Sequence, residues 1–279
     1  MLTLLSKALA TLSLPTIHRM GTVLGWLLHW ATPASTRIQR SNLQQSGLCP
    51  TESEVNRVLK ANTAETGKAI FETLAIWQWP QNKALQLVKT CHNLHLIEDA
   101  LARGKGLIFL TPHLGSFEIT SIYYAATRPI TVLFRPPKKT WLAPLIDMGR
   151  SKGQVKLAPA NVQGVRTLMQ ALKKGEAIGI LPDQIPNEGE GEWADFFGKP
   201  AYTMTLACKL AEKTGATVLM AFGERLANGQ GYEIHLTPVE SIATPDLLNA
   251  AIAKQIAQKP EQYLWRYNRY KVRRGSVKN

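Results

Sequence analysis

GLIFLTPHLGSFE, residues 106–118, is the stretch of sequence that decides the fold. It opens with an apolar run bounded by Gly106 and Pro112, which is typical of a buried β-strand. Gly115 then permits a sharp backbone turn, and Ser116 is a favourable N-cap for a following helix. The stretch therefore predicts a strand–turn–helix unit with polar residues at the carboxyl end of the strand.

The rest of the chain repeats this alternation of apolar runs and helical patterns. Further strands are predicted at 130–134, 177–181, 216–222 and 232–236. Helices are predicted from a capping box at Thr51 towards residue 79, from 84 to about 104, at 162–174, at 203–214 and from Thr244 onward. This alternation predicts an α/β fold: a single α/β sandwich domain with a mixed, largely parallel sheet flanked by helices. We assign residues 37–279 to this domain, since neither a repeat nor an interdomain linker interrupts them.

Composition narrows the class of protein. The chain has 279 residues, of which 45% are hydrophobic, so disordered and fibrous classes are excluded. Only 19% of its residues are charged, yet the formal net charge is +13. This combination suits an anionic membrane or acidic ligands better than nucleic acid. The three scattered cysteines predict neither a disulfide framework nor a zinc site, and they favour a reducing, cytoplasmic location.

The N-terminal residues 1–36 form a separate, apolar region with Lys7 and Arg19 as their only charged side chains. Prolines interrupt the region, so neither half reaches the roughly 20 apolar residues that a spanning helix needs. We favour a pair of membrane-associating helices lying in or shallowly inserted into the bilayer surface, because Trp26 and Trp30 suit that interface. A true membrane span and an ordinary core helix are the alternatives.

His113 and Glu118 are the candidate catalytic residues. His113 directly follows a buried strand, and open α/β sheets bind ligands at the carboxyl ends of their strands. Glu118 falls in the first turn of the next helix, where we expect it to hold one imidazole nitrogen and leave the other to take a proton. The spacing alone is not specific, because His235 and Glu240 repeat it inside an alternating strand pattern. The strand–glycine–helix context carries the prediction.

Five motifs in a fixed order resemble a known family. They are PHLGSFE at 112–118, FRPPKK at 134–139, GILPDQ at 179–184, DFFGKPA at 195–201 and PEQYLWRYNRYK at 260–271. Together they resemble the lipid A biosynthesis acyltransferases, the late lauroyl and myristoyl transferases of Gram-negative bacteria, over residues ~20 to ~275. Glycerolipid acyltransferases more typically have Asn before the histidine and Asp in place of the glutamate. Pro112 and Glu118 at those positions therefore favour the lipid A branch.

The resemblance implies a reaction and its partners. The donor would be a thioester of acyl carrier protein, and the acceptor a hydroxyl on a lipid A precursor. The enzyme would be attached to the cytoplasmic face of the bacterial inner membrane, as a peripheral or monotopic protein, without a metal or redox cofactor. His113 would deprotonate the hydroxyl of a 3-hydroxyacyl chain, giving an acyloxyacyl ester. Nucleic acid is not an expected partner.

The resemblance also marks substrate-binding candidates, each with a structural alternative. Arg135 is expected to clamp a phosphate, although a surface position at a strand end is the alternative. Asp183 and Gln184 follow a strand and are expected to hold the acceptor or orient an arginine, or else only to form a turn. Gly198 is assigned to substrate binding, with a tight turn as the alternative. The phenylalanines before it would line an acyl channel or anchor a loop.

The C-terminal segment 265–278 interleaves aromatic and basic residues. We favour membrane or lipid A phosphates as its partner, with single-stranded nucleic acid or a solvated tail as alternatives. Two other functions stay open from the sequence. One is a different membrane glycolipid or lysophospholipid acyltransferase, with coenzyme A or carrier protein as donor. The other is a non-enzymatic adaptor that binds acidic lipid or RNA.

Overall fold

The computed structural model describes residues 2–137 and 139–271. Within them a seven-stranded sheet has the order β1-β9-β8-β2-β5-β3-β4, and a separate hairpin pairs β6 with β7. The strands are β1 Val88–His92, β2 Leu107–Leu110, β3 Ile130–Phe134, β4 Val155–Pro159, β5 Ala177–Ile180, β6 Gly191–Phe196, β7 Lys199–Met204, β8 Thr217–Arg225 and β9 Tyr232–Pro238. Among the described residues of the large sheet, β8 and β9 form the one antiparallel pair, and all other neighbouring strands are parallel. The predicted mixed, largely parallel α/β sheet is confirmed.

The helices cover both faces of this sheet. They are α1 Leu2–Thr11, α2 Leu14–Ala31, α3 Pro33–Gln45, α4 Glu52–Gln78, α5 Gln81–Gln86, α6 His95–Ala102, α7 Phe117–Tyr124, α8 Ala143–Arg150, α9 Val162–Lys173, α10 Leu206–Thr214 and α11 Pro245–Ile256. Three short 3-10 turns lie at Thr140–Leu142, Ala227–Gly229 and Pro260–Gln262. Every residue of β2 and β5 is buried, as expected for central parallel strands covered on both sides.

Two predicted helices differ from the structure. The helix predicted from 84 to about 104 is divided into α5, β1 and α6, because Asn93 adopts a positive φ of 59° and Val88–His92 pairs with β9 at the sheet edge. The helix predicted at 203–214 begins later, at Leu206, because residues 199–204 form the second strand of the β6–β7 hairpin. The capping box at Thr51 is confirmed and begins the 27-residue α4.

The N-terminal helices pack directly on α4. At the crossing of α2 and α4 the backbones touch through Gly21, Gly25 and Gly67. A Cβ added at Gly67 would lie 1.9 Å from the Gly21 carbonyl oxygen and 2.3 Å from the Gly25 nitrogen. Glycine is therefore required for this close approach, since no side chain fits between the helices. Within the described ranges, no helix combines the length and the apolar character required to cross a bilayer.

A buried ion-pair network joins these helices to the sheet. Glu72 on α4 accepts hydrogen bonds from Arg225 on β8 at 2.6 and 2.8 Å, and His18 on α2 lies 2.9 Å from the same carboxylate. Burial alone would raise the pKa of Glu72, but Arg225 and His18 lower it to about 2. Glu72 and Arg225 both stay ionised inside the protein because each is the other's partner. Their contacts fix α2 and α4 against the sheet.

Candidate active site

Three neighbouring parallel strands deliver the predicted site residues to one edge of the sheet. His113 follows β2, Asp183 and Gln184 follow β5, and Arg135 follows β3, which lies on the other side of β5. Side chains at the carboxyl ends of adjacent parallel strands share one crevice. The sheet order therefore brings together residues that are up to 71 positions apart in sequence.

The loop that carries His113 is held by close backbone contacts. Gly115 has a φ of +59°, and a Cβ there would lie 2.1 Å from the Gly223 carbonyl oxygen. The Ser116 N–H donates to that same oxygen at 2.7 Å, and the Leu264 N–H donates to the His113 carbonyl at 3.1 Å. The backbone on both sides of His113 is thus tied to β8 and to the C-terminal segment, which fixes the direction of its side chain.

Asp183 binds His113 through both of its carboxylate oxygens. One accepts from the imidazole Nδ1 at 2.8 Å, and the other accepts from the His113 backbone N–H at 2.9 Å. The Asp183 side chain is only 2% exposed. Burial alone would raise its pKa, but the attraction of His113 and these hydrogen bonds hold the pKa of Asp183 below its usual value. Asp183 is therefore ionised at neutral pH and can orient the imidazole.

The hydrogen bonds of His113 determine its tautomer. Since the ionised Asp183 can only accept, Nδ1 must carry the proton, and Nε2 is left as an acceptor. The Gln184 side-chain nitrogen lies 3.1 Å from Nε2, in a position suited to a donor. His113 is 16% exposed, so its Nε2 edge can be reached from outside. A substrate hydroxyl that displaced the amide would meet an unprotonated nitrogen, which is the arrangement of a general base.

Glu118 does not hold the imidazole, which corrects the geometry expected from the sequence. Its carboxylate accepts two hydrogen bonds from Arg150 on α8, at 2.9 and 2.6 Å. Both imidazole nitrogens already have partners, Asp183 and Gln184. α7 begins at Phe117, whose ring lies 5.0 Å from that of His113, and Glu118 on the next position is directed to α8. A catalytic role for Glu118 remains a prediction.

The remaining candidates lie at different places. Arg135 is exposed at the end of β3, on the same sheet edge as His113. Gly198 is exposed in the two-residue turn between β6 and β7, with a φ of +74°. Its N–H donates to Asp195 Oδ1 at 2.9 Å, as a tight turn requires. Phe196, two positions before Gly198, is buried in the core and packs against Tyr270 with 6.3 Å between ring centroids, so it anchors the hairpin.

A largely apolar cleft of ≈ 450 Å³ opens beside His113. It lies between α4, α8 and the C-terminal segment. Its walls include Leu74, Trp77, Phe117, Leu142, Ile146 and Leu264. Apolar walls with one reactive polar group at the edge suit a ligand that is a hydrocarbon chain with a polar end.

Sequence reasoning missed part of the site's support. Tyr263 is buried beside Asp183, and burial and then the carboxylate's charge raise the pKa of Tyr263 well above its usual value. Arg269, predicted to face lipid, is 3% exposed and donates to the Tyr202 carbonyl and the Thr203 hydroxyl at 2.7 Å each. Tyr263 thus supports the loop after β5, whereas Arg269 holds the C-terminal segment against β7. The basic residues predicted at 272–278 lie outside the described residues.

The sequence model of the bacterial lipid A biosynthesis acyltransferases matches residues 2–272. The chain belongs to this family. A lipid A biosynthesis lauroyltransferase of Escherichia coli (strain K12) is 25% identical over 273 residues, which cover 94% of this chain and 88% of the relative. A lipid A biosynthesis palmitoleoyltransferase of the same strain is 26% identical over 266 residues, covering 93% and 86%. A lipid A biosynthesis acyltransferase of Haemophilus influenzae is 26% identical over 248 residues, covering 86% and 76%.

Membership of the lipid A acyltransferase family confirms the resemblance seen in the five motifs. It makes the protein an acyltransferase of lipid A biosynthesis. The adaptor alternative has no support from these relatives. In this lipid A acyltransferase the predicted histidine lies at the mouth of an apolar cleft, paired with a buried carboxylate.

Proposed function

We propose that the protein transfers a fatty acyl chain from a thioester of acyl carrier protein to a hydroxyl of a lipid A precursor. The observation that carries this proposal is the pair of His113 and buried Asp183 at the edge of the apolar cleft. Among the described residues, the side-chain hydrogen-bond partners of His113 are Asp183 and Gln184, and no serine or cysteine is bound to the imidazole. The attacking oxygen therefore comes from the acceptor rather than from a side chain of the enzyme.

In the proposed step His113 acts first as a base and then as an acid. Its Nε2 takes the proton of the acceptor hydroxyl while that oxygen attacks the thioester carbonyl carbon. The new C–O ester bond forms, the C–S bond breaks, and the imidazolium returns the proton to the departing thiolate. Asp183 stabilises the imidazolium and keeps the ring in its reactive tautomer. No other group needs to change its charge.

The cleft is the proposed site for the acyl chain. Each buried methylene contributes about 0.8 kcal/mol, so binding of the chain supplies the energy that positions the carbonyl next to Nε2. Gln184 lies where the acceptor hydroxyl would bind and is proposed to yield to it. Arg135, on the same sheet edge, is proposed to bind a phosphate of the acceptor or of the carrier's prosthetic group. Substrate binding by Gly198 stays a prediction from the family motif.

Lipid A mass spectrometry tests the function. We expect lipid A from a host that lacks its own late acyltransferase to gain the mass of one acyl group when this gene is supplied. A purified assay with carrier-protein and coenzyme A thioesters, each offered to a lipid A precursor and to a lysophospholipid, identifies donor and acceptor. Acylation of the lysophospholipid alone would replace the proposal with a glycerolipid acyltransferase. Product from the coenzyme A thioester alone would contradict the proposal that acyl carrier protein is the donor.

An exposed apolar face supports attachment to a membrane. α2 turns its glycines towards α4 and exposes Val23, Leu27 and Trp30 on the other side. Ile70 on α4 is exposed as well and also lines the cleft. Exposed apolar patches of this kind mark interaction surfaces, and the net charge of +13 favours an anionic one. We infer attachment at the cytoplasmic face of the inner membrane, with α2 in the plane of the bilayer and the cleft open to the lipid.

Charged residues on α2 should weaken membrane binding. For the double variant Val23→Glu/Leu27→Glu we expect a loss of at least about 100-fold in binding to phosphatidylglycerol-containing vesicles, since each apolar side chain contributes about 1.5 kcal/mol or more. Vesicle co-sedimentation measures this. The matched control is Val162→Glu/Leu247→Glu, which makes the same change at two exposed apolar residues on α9 and α11. Equal loss in both variants, or none in the first, contradicts the assignment of this face.

A further inference from the structure

Four polar side chains cluster on one face of the sheet, near its β1 edge. His92 ends β1 and is the register partner of His235 on β9. Glu233, two positions before His235, faces the same side, and its partner across the next ladder is Glu224 on β8. We call His92, Glu233 and His235, with Glu224 beside them, the edge cluster. The mechanism uses none of these residues.

The edge cluster has a defined geometry. The two imidazole rings stack at 4.6 Å with an interplanar angle of 11°. His92 Nε2 lies 2.9 Å from Glu233, and His235 Nε2 lies 2.9 Å from Glu224. One donor atom from each of His92, Glu233 and His235 lies within 4.8 Å of the others. Neighbouring strands fix all three Cα positions, so the donor atoms converge without any backbone movement.

We propose that the edge cluster binds a divalent transition-metal ion of the Zn²⁺ class. Two imidazoles and one carboxylate form a ligand set that suits zinc and its neighbours, whereas Mg²⁺ and Ca²⁺ prefer oxygen ligands alone. With metal–ligand bonds of about 2.0–2.1 Å, the donor atoms of a tetrahedral site lie roughly 3.4 Å apart. The donor atoms now lie within 4.8 Å of one another, so the proposed site requires the side chains to rotate until they reach the shorter spacing. His92 and Glu233 are partly exposed, so an ion can enter from solvent.

The surroundings limit the site to three protein ligands. Glu224 is already bound by Lys259 at 2.8 Å, and its hydrogen bond with Lys259 raises that lysine's pKa. This positive charge disfavours Glu224 as a fourth ligand and leaves it to orient His235 as an outer-shell partner. The fourth position then belongs to water. The cysteine pattern predicted no zinc site because this ligand set contains no thiolate.

Bound metal would fasten the edge of the sheet. In the described part of the chain β1 pairs only with β9, and the ion would bridge these two strands through His92 and His235. His235 also stacks on Phe222 of β8, with ring centroids 5.5 Å apart, which continues the row of rings into the core. Binding to the folded state alone stabilises it, so the melting temperature should rise with metal concentration.

Titration of the metal-free, full-length protein with Zn²⁺ alone tests the proposal. Isothermal titration calorimetry should give one saturable site, and Mg²⁺ should give none. In His92→Ala and Glu233→Gln we expect the affinity to fall by at least the ~10- to 100-fold that the loss of an outer-shell partner alone can cause. The control is His95→Ala, which removes an exposed histidine outside the edge cluster and should leave both affinity and stoichiometry unchanged.

A second readout keeps the test decisive. Co²⁺ bound by two imidazoles and a carboxylate should give visible absorption in the unaltered protein, lost on addition of equimolar Zn²⁺. The melting temperature should rise with Zn²⁺ in the unaltered protein and in His95→Ala but not in His92→Ala. Absence of saturable Zn²⁺ binding below about 100 μM would overturn the proposal. Unchanged binding in both His92→Ala and Glu233→Gln would do the same, since it would place the ion elsewhere.

Discussion

Replacement of His113 by alanine is expected to lower kcat by about 10²- to 10⁴-fold or more, because general-base assistance is worth that much. No other described side chain has an unprotonated nitrogen at the cleft edge in position to accept the hydroxyl proton. In the host without a late acyltransferase, the His113→Ala gene should leave the mass of lipid A unchanged. Steady-state rates of the purified enzyme measure the size of the loss.

The alanine variant also leaves the buried Asp183 charge without its partner, which can lower stability. His113→Asn separates the two effects, because its amide can still donate to Asp183 but cannot take a proton. We expect His113→Asn to unfold near the temperature of the unaltered protein and to be as inactive as His113→Ala. His95→Ala controls for loss of a histidine as such and should keep full activity. A rate within tenfold of normal in His113→Asn would remove His113 from the mechanism.

Asp183→Asn is expected to have the second large effect on kcat. It tests whether Asp183 or Glu118 is the carboxylate that orients His113. The amide can still accept from Nδ1 but no longer stabilises the imidazolium, and it can hold the wrong tautomer. We expect kcat to fall by about 10⁴-fold, as it does when the aspartate of a Ser-His-Asp triad is changed to asparagine. KM for both substrates should change little, since Asp183 touches the imidazole rather than the ligand.

Glu118→Gln is the matched variant for this comparison. It makes the same carboxylate-to-amide change five residues from His113, at the position that the sequence alone assigned to the orienting role. Because Glu118 binds Arg150 in the structure, Glu118→Gln should lower the melting temperature. Its kcat should fall less than that of Asp183→Asn. A loss of kcat in Glu118→Gln that equals or exceeds the loss in Asp183→Asn would return the orienting role to Glu118.

The sequence predicted the elements that carry the site but not how they meet. β2, β3 and β5 are apolar runs bounded by glycine or proline, so they could be recognised, and with them the positions of His113, Arg135 and Asp183. β1 was missed because Val88–His92 is an edge strand with polar residues and has no apolar run. The sequence indicated Glu118 rather than Asp183 as the carboxylate that orients His113. Spacing along the chain can be read from the sequence, whereas the adjacency of β2 and β5 cannot.

The packing of the N-terminal helices could also be predicted only in part from the sequence. Its apolar residues were noted, but Gly21 and Gly25, spaced four apart like the small residues of closely packed helices, were the available signal that α2 contacts another helix. The partner glycine, Gly67, lies 42 positions after Gly25, in the middle of α4. Only the three-dimensional contact shows that one face of α2 is core and the other is exposed.

The pairing of β2 with β5 has a consequence for how the enzyme matures during synthesis. His113 and Asp183 are joined across a parallel pair that closes a loop of about 70 residues, and β2 also pairs with β8, more than 100 residues later. Such long-range pairings form late, because the entropy of loop closure is lost before their contacts form. A growing chain that already displays His113 on the ribosome has no carboxylate to orient it. His113 is therefore oriented only once β2 and β5 have paired.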